Sequence, residues 1–198
     1  MPVYIDQSVE QCHRKVLIEN LPINVTSCQI RSFFQPFGNI AYLSLKRRVM
    51  DNSALFLSNP TALLAFEHHD SVDTVMAERP YTMNDCLLLV RRCIPITRRY
   101  PYEPSYTVTK LLIRAATENP CEALPSDSLI MRYFEVVGGP IVRLERLDDQ
   151  TVLLEFDDYD SVDLCCLCRP HVILNQMIDV EKCHHEELTR RRAKLQQK

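Results

Sequence analysis

One stretch of the chain is written almost twice. Residues 61–73 read TALLAFEHHDSVD, and residues 151–163, 90 positions further on, read TVLLEFDDYDSVD. Self-similarity over that length marks two copies of one structural unit. In a chain of 198 residues it calls for two small domains and a short connection between them. Hydrophobic residues make up 46% and charged residues 25%, which is a globular composition and not a disordered one. The longest apolar runs, such as CLLLV at Cys86–Val90, fall far short of the ~18 residues that cross a bilayer, so no membrane is expected. Residues 1–15 scatter charges through the segment and hold no apolar core, which argues against a signal peptide.

Around the repeat, hydrophobic periodicity gives the same order of elements in both halves. KVLIENLP (Lys15–Pro22) reads as a buried strand ended by a turn. In SCQIRSFFQPFGNI, Ile30, Phe33, Phe34 and Phe37 recur at helical spacing, and Gly38 sits where a C-cap belongs. AYLSLKRR and TALLAF read as strands, Asp70-Ser71 as the N-cap of a helix through about Arg79, and DCLLLVRR (Asp85–Arg92) as the closing strand. The second half repeats this with TKLLIRAA, a helix from Ser126 to Gly139, strands PIVRLERL and TVLLEF, the helix DSVDLCCLCR, and NQMIDVEK (Asn175–Lys182). Two β-α-β-β-α-β units predict an α+β fold of two ferredoxin-like domains in tandem, each a four-stranded antiparallel sheet backed by two helices. The domains are expected at residues 14–94 and 109–182, with a linker at 95–108 rich in Pro and Tyr and an exposed basic tail at 183–198.

That fold hosts enzymes, metal carriers and nucleic-acid binders, so function has to be read from side chains. With only three glycines there is no glycine-rich phosphate loop, and the pairs His68-His69 and His184-His185 sit in exposed-looking contexts, so no enzyme is expected. Nine cysteines, an odd number without a secretory signal, read as reduced thiols. Cys165 and Cys168 with Cys183 and His184 have zinc-like spacing, but small apolar fillers on an amphipathic helix are the stronger reading. No metal or cofactor is expected.

Four stretches carry a family resemblance: FDDYDSVD, VDTVMAERPYTMNDCLLLVRR, TVTKLLI and SCQIRSFFQPFG. They resemble the tandem RNA recognition motifs of heterogeneous nuclear ribonucleoproteins of the A/B class, over about residues 13–182. The resemblance implies a sheet that stacks bases on aromatic rings of its first and third strands, where each flat ring holds a base by ~1–3 kcal/mol. Those rings are missing. The first-strand positions hold Leu17 and Leu112, and the third-strand positions hold Thr61, Leu63, Thr151 and Leu153. The leading basic residue of the third-strand motif has become Asn59 in one unit and Asp149 in the other. Both motifs are therefore degenerate.

Charge separates the halves. Residues 1–99 hold 11 Lys/Arg against 9 Asp/Glu, residues 100–182 hold 7 against 15, and residues 183–198 hold 5 against 2. An acidic second domain is a poor platform for phosphate, because affinity comes largely from cationic contacts. The expected partner is single-stranded RNA, held weakly or in a non-standard mode, with ribonucleoprotein proteins as further partners. The candidate RNA-contacting residues are Lys15, Leu17, Lys46, Arg47, Thr61, Leu63, Arg91, Arg92, Arg98 and Arg99, with Lys110, Leu112, Thr151 and Leu153 at the second unit's face. Tyr100, Tyr102 and Tyr106 offer replacement stacking surfaces or pack the linker. The alternative is a protein-interaction scaffold, since Leu17, Leu63, Leu112 and Leu153 leave an aliphatic sheet face.

The resemblance implies two further features. The domains pack through ion pairs, which on this chain are Arg79–Asp158 and Arg92–Asp160. The location is the nucleus, with the cytoplasm as a second site, and the role is in mRNA processing or regulation; the basic RRRAK stretch at residues 190–194 is a weak nuclear signal.

Overall fold

The computed structural model describes residues 13–47, 59–94, 107–116 and 123–183. The chain divides into two compact units, Met1–Cys93 and Ile94–Lys198. The first runs β1 (Lys15–Glu19), α1 (Ser27–Phe34), β2 (Ile40–Lys46), β3 (Thr61–Phe66), α2 (Asp70–Ala77), β4 (Tyr81–Met83) and β5 (Cys86–Arg92). The second runs β6 (Lys110–Ala115), α3 (Asp127–Gly138), β7 (Ile141–Asp148), β8 (Thr151–Phe156), α4 (Tyr159–Leu167), β9 (His171–Ile173) and β10 (Gln176–Lys182). Each unit is an antiparallel sheet with two helices, so the chain is a tandem of two α+β domains of ferredoxin-like element order.

The expected four-stranded sheets have five strands each, in the orders β2-β3-β1-β5-β4 and β7-β8-β6-β10-β9. The added strands, β4 and β9, are only three residues long and follow Pro80 and Pro170, so no periodicity announces them. Each forms a hairpin with the closing strand through two central residues of positive φ, Asn84-Asp85 (47° and 62°) and Leu174-Asn175 (51° and 66°). Such paired left-handed residues match the twist of a tight hairpin.

Helix starts differ from the sequence reading. Thr26 caps α1 through a reciprocal pair with Gln29: the Thr26 hydroxyl accepts from the Gln29 N–H, and the Gln29 side chain accepts from the Thr26 N–H. Asp70 lies inside the first turn of α2, and the cap position belongs to His69, which makes no side-chain capping bond. In the second unit Asp158 is the cap of α4, accepting from the Asp160 N–H at 2.9 Å. The first-turn acids Asp70 and Asp160 still favour the positive helix ends.

The cores lie between sheet and helices. Val16, Ile18, Ile30, Phe34, Leu64, Phe66, Val72 and Val90 fill the first, and Leu111, Ile113, Ile130, Phe134, Val152, Leu154, Phe156 and Val162 the second. Phe66 and Phe156 point inward, as strand alternation requires. Cys165 and Cys166 belong to the second core, and burial pushes the Cys165 thiol pKa up.

Two polar connections recur at matching places under the sheets. Tyr81 donates its hydroxyl hydrogen to the Val75 carbonyl at 2.8 Å, and His171 in the other unit bonds through Nε2 to the Cys165 carbonyl, also at 2.8 Å. Arg92 pairs with Asp73 at 2.8 Å, and Lys182 pairs with Asp163 in the other unit. Each pair ties the end of a closing strand to the second helix of its unit.

Candidate nucleic-acid interface

The outer face of the first sheet follows from register. Leu17 stands opposite Leu63 on one side and Arg91 on the other, and Tyr42, Ser44 and Lys46 stand opposite Ala65, Leu63 and Thr61. The alternation therefore brings Lys15, Leu17, Glu19, Tyr42, Ser44, Lys46, Thr61, Leu63 and Arg91 to one surface. Leu17, Thr61 and Leu63 are half-buried, and Lys46 is exposed. Tyr42 is 53% exposed and offers the one aromatic ring of this face among the described residues. The sequence reading missed Tyr42, although the alternation of AYLSLK from Ala41 places it beside Ser44 and Lys46 on one side.

Arg91 is buried and its Nε donates to Glu19 at 2.9 Å, so the two form a neutral pair within the face. Arg47 donates to the Val25 carbonyl at 2.6 Å, which anchors the end of β2 to the loop before α1. Arg92 has the opposite parity to Arg91 and is buried on the helical side beside Asp73, away from the face. The cations with open geometry on this sheet are thus Lys15 and Lys46. Arg98, Arg99, Tyr100, Tyr102 and Tyr106 lie outside the described residues, as do Arg48, His184, His185 and the basic stretch at residues 190–194.

The second sheet presents Lys110, Leu112, Arg114, Arg143, Glu145, Thr151, Leu153, Glu155, Asp179 and Glu181 on the corresponding side. Its cations are committed to acids. Lys110 pairs with Glu155 at 3.4 Å, Arg143 with Glu145 at 3.5 Å, and Arg114 with Glu181. Thr151 is half-buried, whereas Leu112 is 0% and Leu153 4% exposed, forming with Cys183 and the partly buried Leu147 a small cluster separate from the main core. Two candidate positions for base contact are thus covered in this unit, while their counterparts Leu17 and Leu63 are not.

Of the residues expected between the domains, three have polar partners inside their own unit. Arg79 donates from Nε to the Met76 carbonyl at 2.6 Å, Arg92 pairs with Asp73, and Asp158 caps α4. Asp160 is buried in the first turn of that helix.

No protein-family model matches the sequence. Solved structures similar to the chain include the RNA-binding domain of Hrp1 in complex with RNA, 19% identical over 88% of this chain and 98% of that one, with a TM-score of 0.35. A sex-lethal protein–RNA complex is 15% identical over 86% of this chain and 99% of that one, with a TM-score of 0.32. The N-terminal three RNA-binding domains of the yeast splicing factor Prp24 are 13% identical over 86% of this chain and 64% of that one, with a TM-score of 0.33.

Proposed function

We propose that the chain binds single-stranded RNA through the sheet face of its first unit, and that it serves mRNA processing or regulation in the nucleus as a protein of the heterogeneous nuclear ribonucleoprotein type. The observation that carries this reading is the exposed Tyr42 ring on the same sheet face as Lys46, four residues along β2, and as the half-buried Leu17, Thr61 and Leu63. A base stacks on the ring, and Lys15 and Lys46 reach the flanking phosphates. With the usual central rings replaced by Leu and Thr, one stacking position serves where several would be expected, so binding is weak and tolerant of sequence. The second unit acts as a structural and protein-contacting module, because its acidic face pairs its own cations and buries its leucines. No chemical step is assigned; this is a binding protein.

The test is a fluorescence titration of the full chain with a labelled mixed-sequence single-stranded RNA at several salt concentrations. Tyr42→Ala is expected to weaken binding by ~1–3 kcal/mol, one stacked base. Lys46→Ala is expected to reduce the slope of log K against log salt by about 0.7, one phosphate contact on a single strand. Equal affinities for wild type and both variants would remove this face from the binding site. A lack of salt-sensitive binding up to high micromolar chain would end the RNA reading and favour the protein-scaffold alternative.

A further inference from the structure

We propose that Glu19 selects the base lying on Leu17 and Leu63, taking one with an exocyclic amino group (cytosine, adenine or guanine) and rejecting uracil. The inference rests on RNA binding by the first sheet face and adds to it the choice of base at one position. Leu17 and Leu63 stand opposite each other on β1 and β3, both half-buried, and form an aliphatic floor for one flat ring. Ser44 is the partner of Leu63 on β2, so Tyr42, two residues away, is a diagonal neighbour of that floor at about 7–8 Å. A base stacked on Tyr42 therefore has its neighbour in the strand within reach of the leucines. On the side of the floor away from Tyr42 runs a polar row. Lys46 stands opposite Thr61, the register of β1 and β3 continued past Ile18 and Ala62 sets Glu19 beside Thr61, and Leu89 stands opposite Glu19 on the other flank.

Glu19 is held in place and still open. Arg91 Nε donates to it at 2.9 Å, and the Arg91 side chain is 9% exposed against 31% for Glu19, so the guanidinium is a buried clamp and the carboxylate meets the surface. Asn20, the next residue, has a φ of 59° and ties the end of β1 to both neighbours: its Nδ2 donates to the Leu87 carbonyl at 2.6 Å, and its Oδ1 accepts from Asn59. A reading group needs such support to discriminate. A carboxylate only accepts hydrogen bonds. The amino groups of cytosine, adenine and guanine donate to it, whereas uracil sets a carbonyl oxygen on each side of its single N–H and repels it. The Thr61 hydroxyl, able to donate or accept, meets the ring nitrogen or carbonyl beside the amino group. The second unit has the pair with its charges exchanged. Arg114 takes the place of Glu19, opposite Thr151, and Glu181 that of Arg91, opposite Leu112, and the two are paired. Its leucines Leu112 and Leu153 are 0% and 4% exposed, so no floor is open there. A carboxylate beside an open floor is thus particular to the first unit and not a demand of the fold.

The test is a fluorescence titration of the full chain with a uridine octamer and with the same octamer carrying one central cytidine, two rings of equal size that differ at the amino group. Wild type is expected to bind the cytidine oligomer at least ~5-fold more tightly, the low end for a base-edge contact to a charged acceptor. Central adenosine and guanosine, each expected above uridine, then rank the three amino-bearing bases. Glu19→Gln is expected to bring cytidine and uridine within ~2-fold, because a carboxamide both donates and accepts. The exchange E19R/R91E copies the order of the second unit and keeps an ion pair; it is expected to favour uridine, since a guanidinium donates to the uracil carbonyl and not to an amino group. Should Glu19→Gln lose hydrogen-exchange protection in β1, the exchange variant decides. Equal wild-type affinities for the cytidine and uridine oligomers, or a cytidine preference that survives in the variants, would overturn the proposal and leave RNA binding by this face standing. Failure of every oligomer to bind in a salt-sensitive way would instead overturn the RNA reading and this inference with it.

Discussion

Arg92 and Lys182 occupy the same place at the ends of their closing strands, and each reaches a carboxylate on the second helix of its unit. In the first unit the Asp73 side chain is 57% exposed, whereas in the second Lys182 and Asp163 are 3% and 1% exposed. Tyr81 and His171 diverge in the same direction, since a phenol that stays neutral has been exchanged for a ring that can ionise. The first unit buries its cation but leaves the carboxylate in water, and the second draws both charges into its interior. That contrast makes the second unit the more sensitive to changes of charge and pH.

Neutralising the buried partner is the largest test of the contrast. Asp163→Asn leaves the Lys182 ammonium buried beside an amide and should cost about 3–5 kcal/mol. Asp73→Asn, at a carboxylate 57% exposed beside the buried Arg92, should cost less, about 1 kcal/mol. Hydrogen exchange resolved by unit reads both: α4 and β8 amides lose protection in the first variant, and α2 and β3 amides barely change in the second. Comparable losses in the two units would erase the distinction.

The packing of the two helices gives a second, smaller separation. A Cβ at Gly138 would stand 2.9 Å from the Ser161 carbonyl and 2.8 Å from the Cys165 sulfur, so α3 and α4 approach through the missing side chain. Gly138→Ala gains helix propensity of about 0.8–1 kcal/mol, but overpacking typically costs about 1–3 kcal/mol. The net expectation is a loss of about 1 kcal/mol by urea denaturation, and a gain would show that the helices can shift apart.

Acid should act on the second unit first. His171 is fully buried, held by the Cys165 carbonyl and by the Tyr133 hydroxyl at 3.1 Å from Nδ1. Burial, helped by the Arg169 charge, lowers its pKa below the ordinary 6.5, although the bond to the Cys165 carbonyl pulls the other way. In the unfolded chain the imidazole takes up its proton near ~6.5, so below that pH the unfolded state binds more protons than the folded one. Stability is therefore full above that value and falls as pH drops towards the folded pKa, by at most ~1.4 kcal/mol per pH unit. Tyr81, whose pKa burial pushes up to about 12, gives the first unit no such slope. Tyr81→His should transfer acid sensitivity to the first unit, measured as denaturant midpoints at pH 5 and pH 7.5; midpoints that respond alike in the wild-type units would count against His171 as the cause.

How much of this was legible in the sequence depends on the period of the signal. Six of the seven elements in each unit have apolar spacing or flanking breakers that mark them, and the 90-residue repeat fixed their order. The edge strands Tyr81–Met83 and His171–Ile173 are shorter than any useful window and are held by their hairpins instead. At the face, alternation places Leu17, Leu63, Leu112 and Leu153 correctly, but it cannot say that two are half-open and two are covered. In the sequence Arg91 and Arg92 are adjacent cations with nothing to tell them apart. Strand parity sends one to the sheet face and the other to the helices, where each meets an acid far away in sequence. Tyr42 lies on β2, whereas the ring positions that the resemblance implies are on the first and third strands.

The smallest expected effect lies at the turns. Leu174 holds φ at 51° with its side chain 74% exposed, at the place where the first unit has Asn84 at 47°. A left-handed backbone costs an ordinary L-residue roughly 1–2 kcal/mol, and Asn offsets part of that by bonding locally. Leu174→Asn should then stabilise the second unit by about 0.5–1 kcal/mol, and Asn84→Leu should weaken the first by a similar amount. Thermal midpoints of the two variants, moving in opposite directions, would identify turn conformation as the cause. If Leu174→Asn instead lowers the midpoint, the exposed leucine must gain more from apolar contact than its backbone loses. Val172 and Met177, 48% and 52% exposed and paired across the same hairpin, would be the partners in that contact.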